Sequence, residues 1–204
     1  MRLLLFLSSI LLVAVANTSL AETTVDNPFY VGVQTGYGNT DWARLVSQDD
    51  LSATATPVTA TGDGVTYGLL AGYQVVPRIA IEAEYLHFAD SHLTFMTPNV
   101  YNVTDVTSKT NYYALITKVF VLTNSDFRLY GDIGAARVTS ASELADNTHT
   151  GLTFGFGADY SISEHWLGIF SFEYTPGTAV AAENASAQYV PYLYSLTLGM
   201  AYRF

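Results

Sequence analysis

The last thirteen residues, 192–204, constrain the fold more than any other part of the sequence. At every second position this segment carries an apolar or aromatic side chain, and the positions between carry mainly small, polar or charged ones. The apolar set is Tyr192, Tyr194, Leu196, Leu198, Met200, Tyr202 and Phe204. A period of two is typical of a β-strand with one apolar face. Aromatic residues at both ends of that face, with aliphatic residues between them, indicate a strand that crosses lipid.

Seven more segments alternate in the same way, and irregular stretches separate them. The alternating segments are 29–38, 65–75, 79–88, 112–121, 128–136, 152–161, 167–175 and 192–204. The connections between them are alternately long and short: 39–63, 76–78, 89–109, 123–126, 138–150, 163–165 and 176–190. Long loops at one end and short turns at the other are typical of an up-and-down barrel. The sequence therefore predicts an all-β fold, an eight-stranded antiparallel up-and-down transmembrane β-barrel.

Charged residues inside the alternating segments all fall on the face opposite the apolar one. They are Glu82, Glu84, Lys118, Arg128, Asp132, Asp159, Glu173 and Arg203. An Arg or Lys facing lipid at mid-membrane would cost about 2–4 kcal/mol, so this segregation favours a polar lumen and a lipid-facing exterior. A water-soluble barrel of the lipocalin type would show the opposite arrangement.

The lumen of an eight-stranded barrel has room only for side chains, so these eight charges should contact one another. Five acids against three bases leave spare negative charge, which protonation, hydration or hydrogen bonds from Tyr30, Tyr112 or Tyr130 would have to offset. We interpret the lumen as a polar plug of paired charges rather than as a gated pore. Because a packed lumen excludes substrate, we assign no acid–base role to Glu82 and Glu84.

A separate apolar segment lies at the N-terminus. Residues 3–16 follow Arg2 and precede Ser19-Leu20-Ala21, whose small residues at the first and third positions match a signal-peptidase site. We therefore expect a signal peptide over residues 1–21, an exported protein, and a mature barrel domain over 22–204. A membrane-anchor helix is less favoured, because the apolar run is short and no basic flank follows it.

Composition excludes several classes of protein. There is no cysteine, so the chain has neither disulfides nor the lipid-modified cysteine of a lipoprotein. Loss of Arg2 with the signal peptide leaves seven of the eight basic residues against 18 acidic ones, a net charge of −11. A surface this acidic disfavours nucleic acid as a partner.

The mature sequence resembles the small eight-stranded outer-membrane barrels of Gram-negative bacteria, the OmpA/OmpX-like and opacity-type surface proteins. The resemblance lies in FYVGVQTGYG, IAIEAEYLHF, GFGADYSISEHW, FSFEY and the terminal AYRF. It implies a location in the bacterial outer membrane, with long loops extracellular and termini periplasmic. It also implies that Tyr202 and Phe204 belong to a C-terminal signal for the barrel assembly machinery. No peptidoglycan-binding domain follows the barrel, so no cell-wall tethering is expected.

Few residues suggest catalysis or metal binding. Asp90-Ser91-His92 is the one cluster that could hold a nucleophile beside a base, as in outer-membrane enzymes that modify lipid A. Neighbouring side chains diverge, however, so ordinary loop chemistry is favoured. Asp49 and Asp50, with Asp41 and Asp63 in the same loop, could bind a divalent cation or a basic partner, but no calcium-binding motif is present. We expect no enzyme activity, metal or cofactor.

Function is therefore expected in the loops, which a rigid scaffold presents. Candidate contact residues there are Trp42, Leu45, Phe95, Met96 and Tyr101. The interpretation we favour is a monomeric surface protein that contacts outer-membrane lipid and lipopolysaccharide, and binds a host surface or serum protein in adhesion or resistance to host defence. The alternatives are a purely structural barrel for envelope integrity, a lipid A modifying enzyme or a narrow pore.

Overall fold

The computed structural model describes residues 27–42, 56–96, 103–123, 126–142, 146–180 and 188–204. Among these residues, none lies in a helix long and apolar enough to cross a membrane. They form twelve β-strands: β1 (Phe29–Asp41), β2 (Thr56–Thr61), β3 (Asp63–Val76), β4 (Ile79–His87), β5 (Ser91–Met96), β6 (Val103–Thr123), β7 (Phe127–Ser142), β8 (Asp146–Ser161), β9 (Trp166–Thr175), β10 (Thr178–Val180), β11 (Gln188–Val190) and β12 (Tyr192–Arg203).

Eight of the strands close into a ring. Their order is β6-β4-β3-β1-β12-β9-β8-β7, and β7 pairs back onto β6. Every pairing in the ring is antiparallel, and the first barrel strand pairs with the last, from Tyr30 opposite Arg203 to Asp41 opposite Tyr192. The predicted eight-stranded up-and-down barrel is confirmed.

Exposed and buried side chains alternate along the strands with a period of two. The apolar face is exposed and the polar face is buried, which is the reverse of a water-soluble protein. The outward face carries exposed apolar side chains such as Val33, Leu69 and Leu198, whereas the inward face buries charged and hydroxyl groups such as Glu82 and Thr66. Exposing so much apolar surface to water would be strongly unfavourable. The exterior is therefore suited to lipid, and ring closure leaves the barrel strands without a free edge inside it.

Aromatic side chains band the exterior at both ends of the barrel. At the end that holds Phe29 and Phe204, hereafter the termini end, the two rings are 5.7 Å apart and Trp166 packs edge-on against Tyr202 at 5.3 Å. At the opposite end, hereafter the loop end, outward-facing pairs of aromatic rings recur. They are Tyr67 with His87, Tyr85 with Tyr113, and Tyr174 with Tyr194.

At the loop end the structure corrects the predicted boundaries. Stretches 39–63 and 89–109, expected to be irregular, contain β2, β5 and the first residues of β6, and β5 pairs with both β2 and β6. Similarly, β7 continues to Ser142 and β8 begins at Asp146, so both extend into the stretch 138–150 that was expected to be irregular. These extensions lack alternating apolar residues because they lie beyond the apolar band. They are rich in threonine and serine, so backbone pairing rather than hydrophobic pattern defines them. The predicted signal peptide lies outside the described residues.

The inverted exterior makes a testable prediction about lipid contact. Leu198 and Val65 are equally exposed, at 67%, but Leu198 lies mid-strand whereas Val65 lies near the loop end. Leu198→Arg should lower the free energy of unfolding in lipid vesicles by about 2–4 kcal/mol, and Val65→Arg by only about 0–1 kcal/mol. Urea titration of both variants measures the difference. Equal costs would show that Leu198 does not face the hydrocarbon core.

Candidate functional site

The centre of the lumen is built around one buried ion pair. Lys118 of β6 and Glu82 of β4 are both fully buried, and Lys118 Nζ lies 2.6 Å from Glu82 Oε1. The hydroxyl of Tyr30 donates to Glu82 Oε2 at 2.6 Å, and Lys118 Nζ also lies 4.5 Å from the centre of the Tyr130 ring. The ammonium and one carboxylate oxygen are therefore in ion-pair contact and the other oxygen accepts a hydrogen bond, which is how a buried pair is tolerated.

A second network crosses the lumen nearer the termini end. Arg128 of β7 pairs with Asp159 of β8 at 2.9 Å and donates to Gln74 Oε1 of β3 at 2.8 Å. Since β3 and β7 are three strands apart in the ring, this guanidinium connects separate parts of the barrel wall across the lumen. Arg203 donates to Ser161 at 3.2 Å. Arg128 also stacks over the ring of Phe120 at 4.3 Å, so its planar fork is held in place.

Three acids of the predicted lumen network are left without a base. A Cβ placed on Gly155 would lie 2.5 Å from Glu173 Oε1 and 2.7 Å from Asp132 Oδ1, so both carboxyl groups converge on that glycine. Within the described residues, all four of their oxygens and Glu84 Oε2 are buried without a hydrogen-bond partner. The eight predicted residues thus form two ion pairs and an acid group (Glu84, Asp132 and Glu173), with Arg203 bonded to a serine.

Toward the loop end, apolar and hydroxyl side chains fill the lumen. Tyr112 bonds to Thr153, which also bonds to Thr175, while Thr197 bonds to Ser171 and Gln34. An apolar cluster packs beside them: Leu86, Phe88, Tyr112, Ala114, Ile116, Ala136, Val138, Val190 and Leu193. Of the three tyrosines expected to bond to carboxylates, only Tyr30 does so; Tyr112 bonds to Thr153, and Tyr130 to the Phe170 carbonyl. This packing favours a plug over a passage.

The sequence triplet at 90–92 does not assemble as a nucleophile and base. Ser91 is fully buried, and its Oγ lies 2.6 Å from Thr40 Oγ1. His92 lies 3.4 Å from Thr107 instead. Successive residues of a strand point to opposite faces, so Ser91 and His92 diverge. Among the described residues, no group of three or more His, Cys, Asp or Glu residues could hold a metal ion.

The candidate loop contacts have mixed outcomes. Trp42 follows β1 directly and is only 8% exposed, so its indole is not presented to a partner. Phe95 and Met96 belong to β5, but their side chains lie outside the described part, as do Leu45, Tyr101, Asp49 and Asp50 altogether. At the termini end, Tyr202 and Phe204 are both exposed and their rings are 5.1 Å apart.

Sequence reasoning missed the glycines that make room for the inward side chains. An added Cβ would clash with Tyr30 at Gly72, with Tyr130 at Gly157, and with Glu173 at Gly155. Each glycine lies opposite the large residue in the strand register. The available signal was glycine on the inward face, but it could be matched to a partner only once the register was known.

Breaking the central pair should be strongly destabilising. Lys118→Met leaves the buried Glu82 carboxylate without its cation, so we expect a loss of about 3–5 kcal/mol in the free energy of unfolding. The matched control is the double variant Lys118→Met/Glu82→Gln, which removes both charges and should recover most of the loss. Urea unfolding in vesicles checks both. A double variant as unstable as the single one would contradict this reading of the pair.

Removing one unpartnered acid should have the opposite sign. Glu173→Gln replaces a buried carboxyl group that has no basic partner with a neutral amide that can donate to Asp132. We therefore expect a gain of about 1–3 kcal/mol in the free energy of unfolding. Glu164→Gln in the exposed turn at the termini end is the control, with a change within about 0.5 kcal/mol. Destabilisation by Glu173→Gln would mean that this carboxylate is partnered.

Comparison with known proteins agrees with the geometry. The sequence matches the family described as "Outer membrane protein beta-barrel domain" over residues 7–204. Similar solved structures are OprG from Pseudomonas aeruginosa (14% identity, TM-score 0.55, covering 87% of this chain and 97% of that one) and Neisserial surface protein A (14%, 0.51, 89% and 100%). Another is AlkL, solved in lipid bilayers (13%, 0.51, 92% and 95%).

A search of curated proteins finds no match. At 13–14% identity the solved structures establish the shared fold alone. The closed ring, the apolar exterior, the polar lumen and the family match over nearly the whole length lead to one conclusion: the chain belongs to the outer membrane β-barrel protein family.

Proposed function

We propose that this protein is a non-enzymatic surface protein whose acidic hairpins project from the cell and bind a partner such as a host surface or a serum protein. The observation that carries the proposal is the asymmetry between the two ends. At the termini end β3 and β4 are joined by a two-residue turn, and β8 and β9 by four residues, 162–165. At the loop end β2, β5 and the extended β6, β7 and β8 carry the sheet beyond the apolar band.

This proposal includes an orientation. The loop end lies outside the cell and the termini end in the periplasm, with residues 1–21 acting as the export signal and 22–204 as the barrel. Tyr202 and Phe204 then serve as the signal for the barrel assembly machinery, and the barrel is a monomer. The short turns and the exposed terminal aromatics support this arrangement.

Charge indicates the class of partner. The loop-end stretches 39–63, 89–109, 138–150 and 176–190 contain nine acidic residues and only two basic ones. The remaining nine acids lie in the lumen, the turns and the first 26 residues. A strongly acidic, projecting surface attracts basic patches and accelerates association with them at low salt. We therefore propose a partner that presents a basic surface.

A purely structural role is the second candidate. The packed lumen supports it, because two ion pairs lie inside the barrel and an apolar cluster packs toward the loop end. Enzymatic modification of lipid A is less supported, since Ser91 is buried against Thr40 and away from His92. Conduction is also less supported, because side chains that fill the lumen would block ions as they would block a substrate.

The test uses deletions that spare the barrel. Thr40 donates its backbone N–H to the Gly62 carbonyl at 2.7 Å, so the base of the first long connection closes on itself. Deleting residues 43–55, or separately 97–102, shortens a connection without removing any described strand. Bacteria displaying the intact protein should bind host cells or serum proteins, and at least one deletion should reduce that binding about tenfold.

Asp49→Asn/Asp50→Asn provides the matched control for charge. This full-length variant should weaken binding at low salt and have little effect at high salt, where surface charges are screened. The difference in migration between unheated and boiled samples on a detergent gel verifies that each variant is folded. Equal binding by the intact protein, the deletion variants and Asp49→Asn/Asp50→Asn would contradict the surface-interaction proposal and favour the structural role.

A further inference from the structure

The two outward basic residues at the loop end lie on neighbouring strands. Lys109 of β6 and Arg137 of β7 are both exposed. Of the other basic residues after position 26, Lys118, Arg128 and Arg203 point into the lumen, Arg78 lies in a turn at the termini end, and Arg44 lies outside the described residues. The positive charge that the described part presents outward at this end is therefore concentrated on one flank of an acidic protein.

Strand register fixes the relative positions of these residues. Arg137 pairs with Tyr113, Thr139 with Asn111, and Ala141 with Lys109. Lys109 and Tyr113 share the outward face of β6, so the ammonium and the guanidinium lie on one side of the barrel. At about 3.4 Å per residue, Lys109 lies roughly 14 Å along the strand from the level of Arg137, farther from the barrel centre.

Aromatic side chains place Arg137 at the edge of the apolar band. Tyr113, directly opposite it, packs against Tyr85 with ring centres 5.1 Å apart, and Tyr67 packs against His87 at 5.2 Å. Tyrosines on the outside of a membrane barrel mark the interface between hydrocarbon and headgroups. Arg137 is therefore level with lipid headgroups, and Lys109 lies beyond it, where a headgroup that extends from the membrane would be.

Hydrogen-bond donors complete this flank. Asn111 accepts at Oδ1 from Tyr85 at 3.0 Å and from His87 Nδ1 at 2.9 Å. With Oδ1 used in this way, the remaining capacity of Asn111 is that of its N–H donors. Neither Lys109 nor Arg137 has an ion-pair partner among the described residues. Two outward acids of the described part lie near Lys109. Asp90 is exposed in the connection between His87, which pairs with Asn111, and Ser91, which pairs with Ser108, and Asp146 lies in the row of Lys109 but two strands away, at about 10 Å.

We propose that Lys109, Asn111 and Arg137 form a binding site on the barrel exterior for the phosphorylated headgroup of lipopolysaccharide. A planar guanidinium at headgroup level suits bidentate contact with phosphate, and a lysine farther out suits a second anionic group of the same headgroup. The site lies on the lipid-facing wall, apart from the hairpins of the proposed surface interaction. It rests on the proposed orientation, in which the loop end faces the outer leaflet.

Purified full-length protein in phosphatidylcholine nanodiscs tests the site directly. The probe is lipid A added to the nanodiscs, with bound molecules counted by native mass spectrometry after release from the disc. Lys109→Gln/Arg137→Gln should weaken binding on the order of tenfold or more, since each basic residue near an anionic membrane surface contributes to affinity. Arg78→Gln, which removes an exposed charge at the termini end, should leave binding within about twofold.

Two further arms separate the possible outcomes. Lipid A stripped of its phosphates should bind the unaltered protein as weakly as intact lipid A binds the double variant. Deletion of 43–55 should leave lipid A binding unchanged, so failure of the surface-interaction proposal and failure of this one are distinguishable. Equal binding by the unaltered and double-variant proteins, or binding that does not depend on phosphate, would overturn the proposal. Gel migration of unheated samples shows that the variants are folded.

Discussion

The structure depends on the requirement that every backbone N–H and C=O within lipid be hydrogen-bonded. Strands meet it only if the sheet has no free edge, and here the pairing of β1 with β12 and of β6 with β7 closes the ring. Closure in turn fixes which side chains point inward. Because eight strands leave a narrow lumen, the inward side chains must fit one another, and the glycines at 72, 155 and 157 provide room for their large neighbours.

The same narrowness governs the charges. A lysine or arginine cannot face the hydrocarbon cheaply, so charge within the barrel must be buried, and burial is tolerable only with partners. Lys118 and Glu82 form an ion pair, and Tyr30 donates a hydrogen bond to Glu82, whereas Asp132 and Glu173 have no lysine or arginine partner among the described residues. The interior is therefore not optimised for stability at every position. These unpaired acids are the part of the lumen that packing alone does not explain.

How far the sequence predicts this protein depends on which force sets each feature. The barrel strands were predictable because a bilayer imposes a strict apolar alternation, as in residues 192–204. The extensions at the loop end were not, because β2 and β5 lie beyond the apolar band and are held by backbone pairing that leaves little trace in side-chain pattern. The inward direction of Glu82 and Lys118 followed from the period of two. The narrow lumen also predicted that the inward charges contact one another. Which acid pairs with Lys118 was not predictable, since it depends on strand register and on the stagger of the ring, as does the burial of Ser91 against Thr40.

The positions of the charged residues determine how the barrel interacts with the membrane and with a partner outside it. Acids in the lumen are hidden from solvent, so the field outside the barrel comes from the hairpins, the turns and the few outward bases. An acidic loop end would by itself be repelled by an anionic headgroup layer, because like charges across a Debye length of about 8 Å still interact. Arg137 lies at the level where headgroups meet the wall and Lys109 lies farther out, so these two positive charges reduce that repulsion where the barrel enters the membrane. The hairpins can then remain acidic and attract a basic partner without weakening the interaction of the barrel with the bilayer.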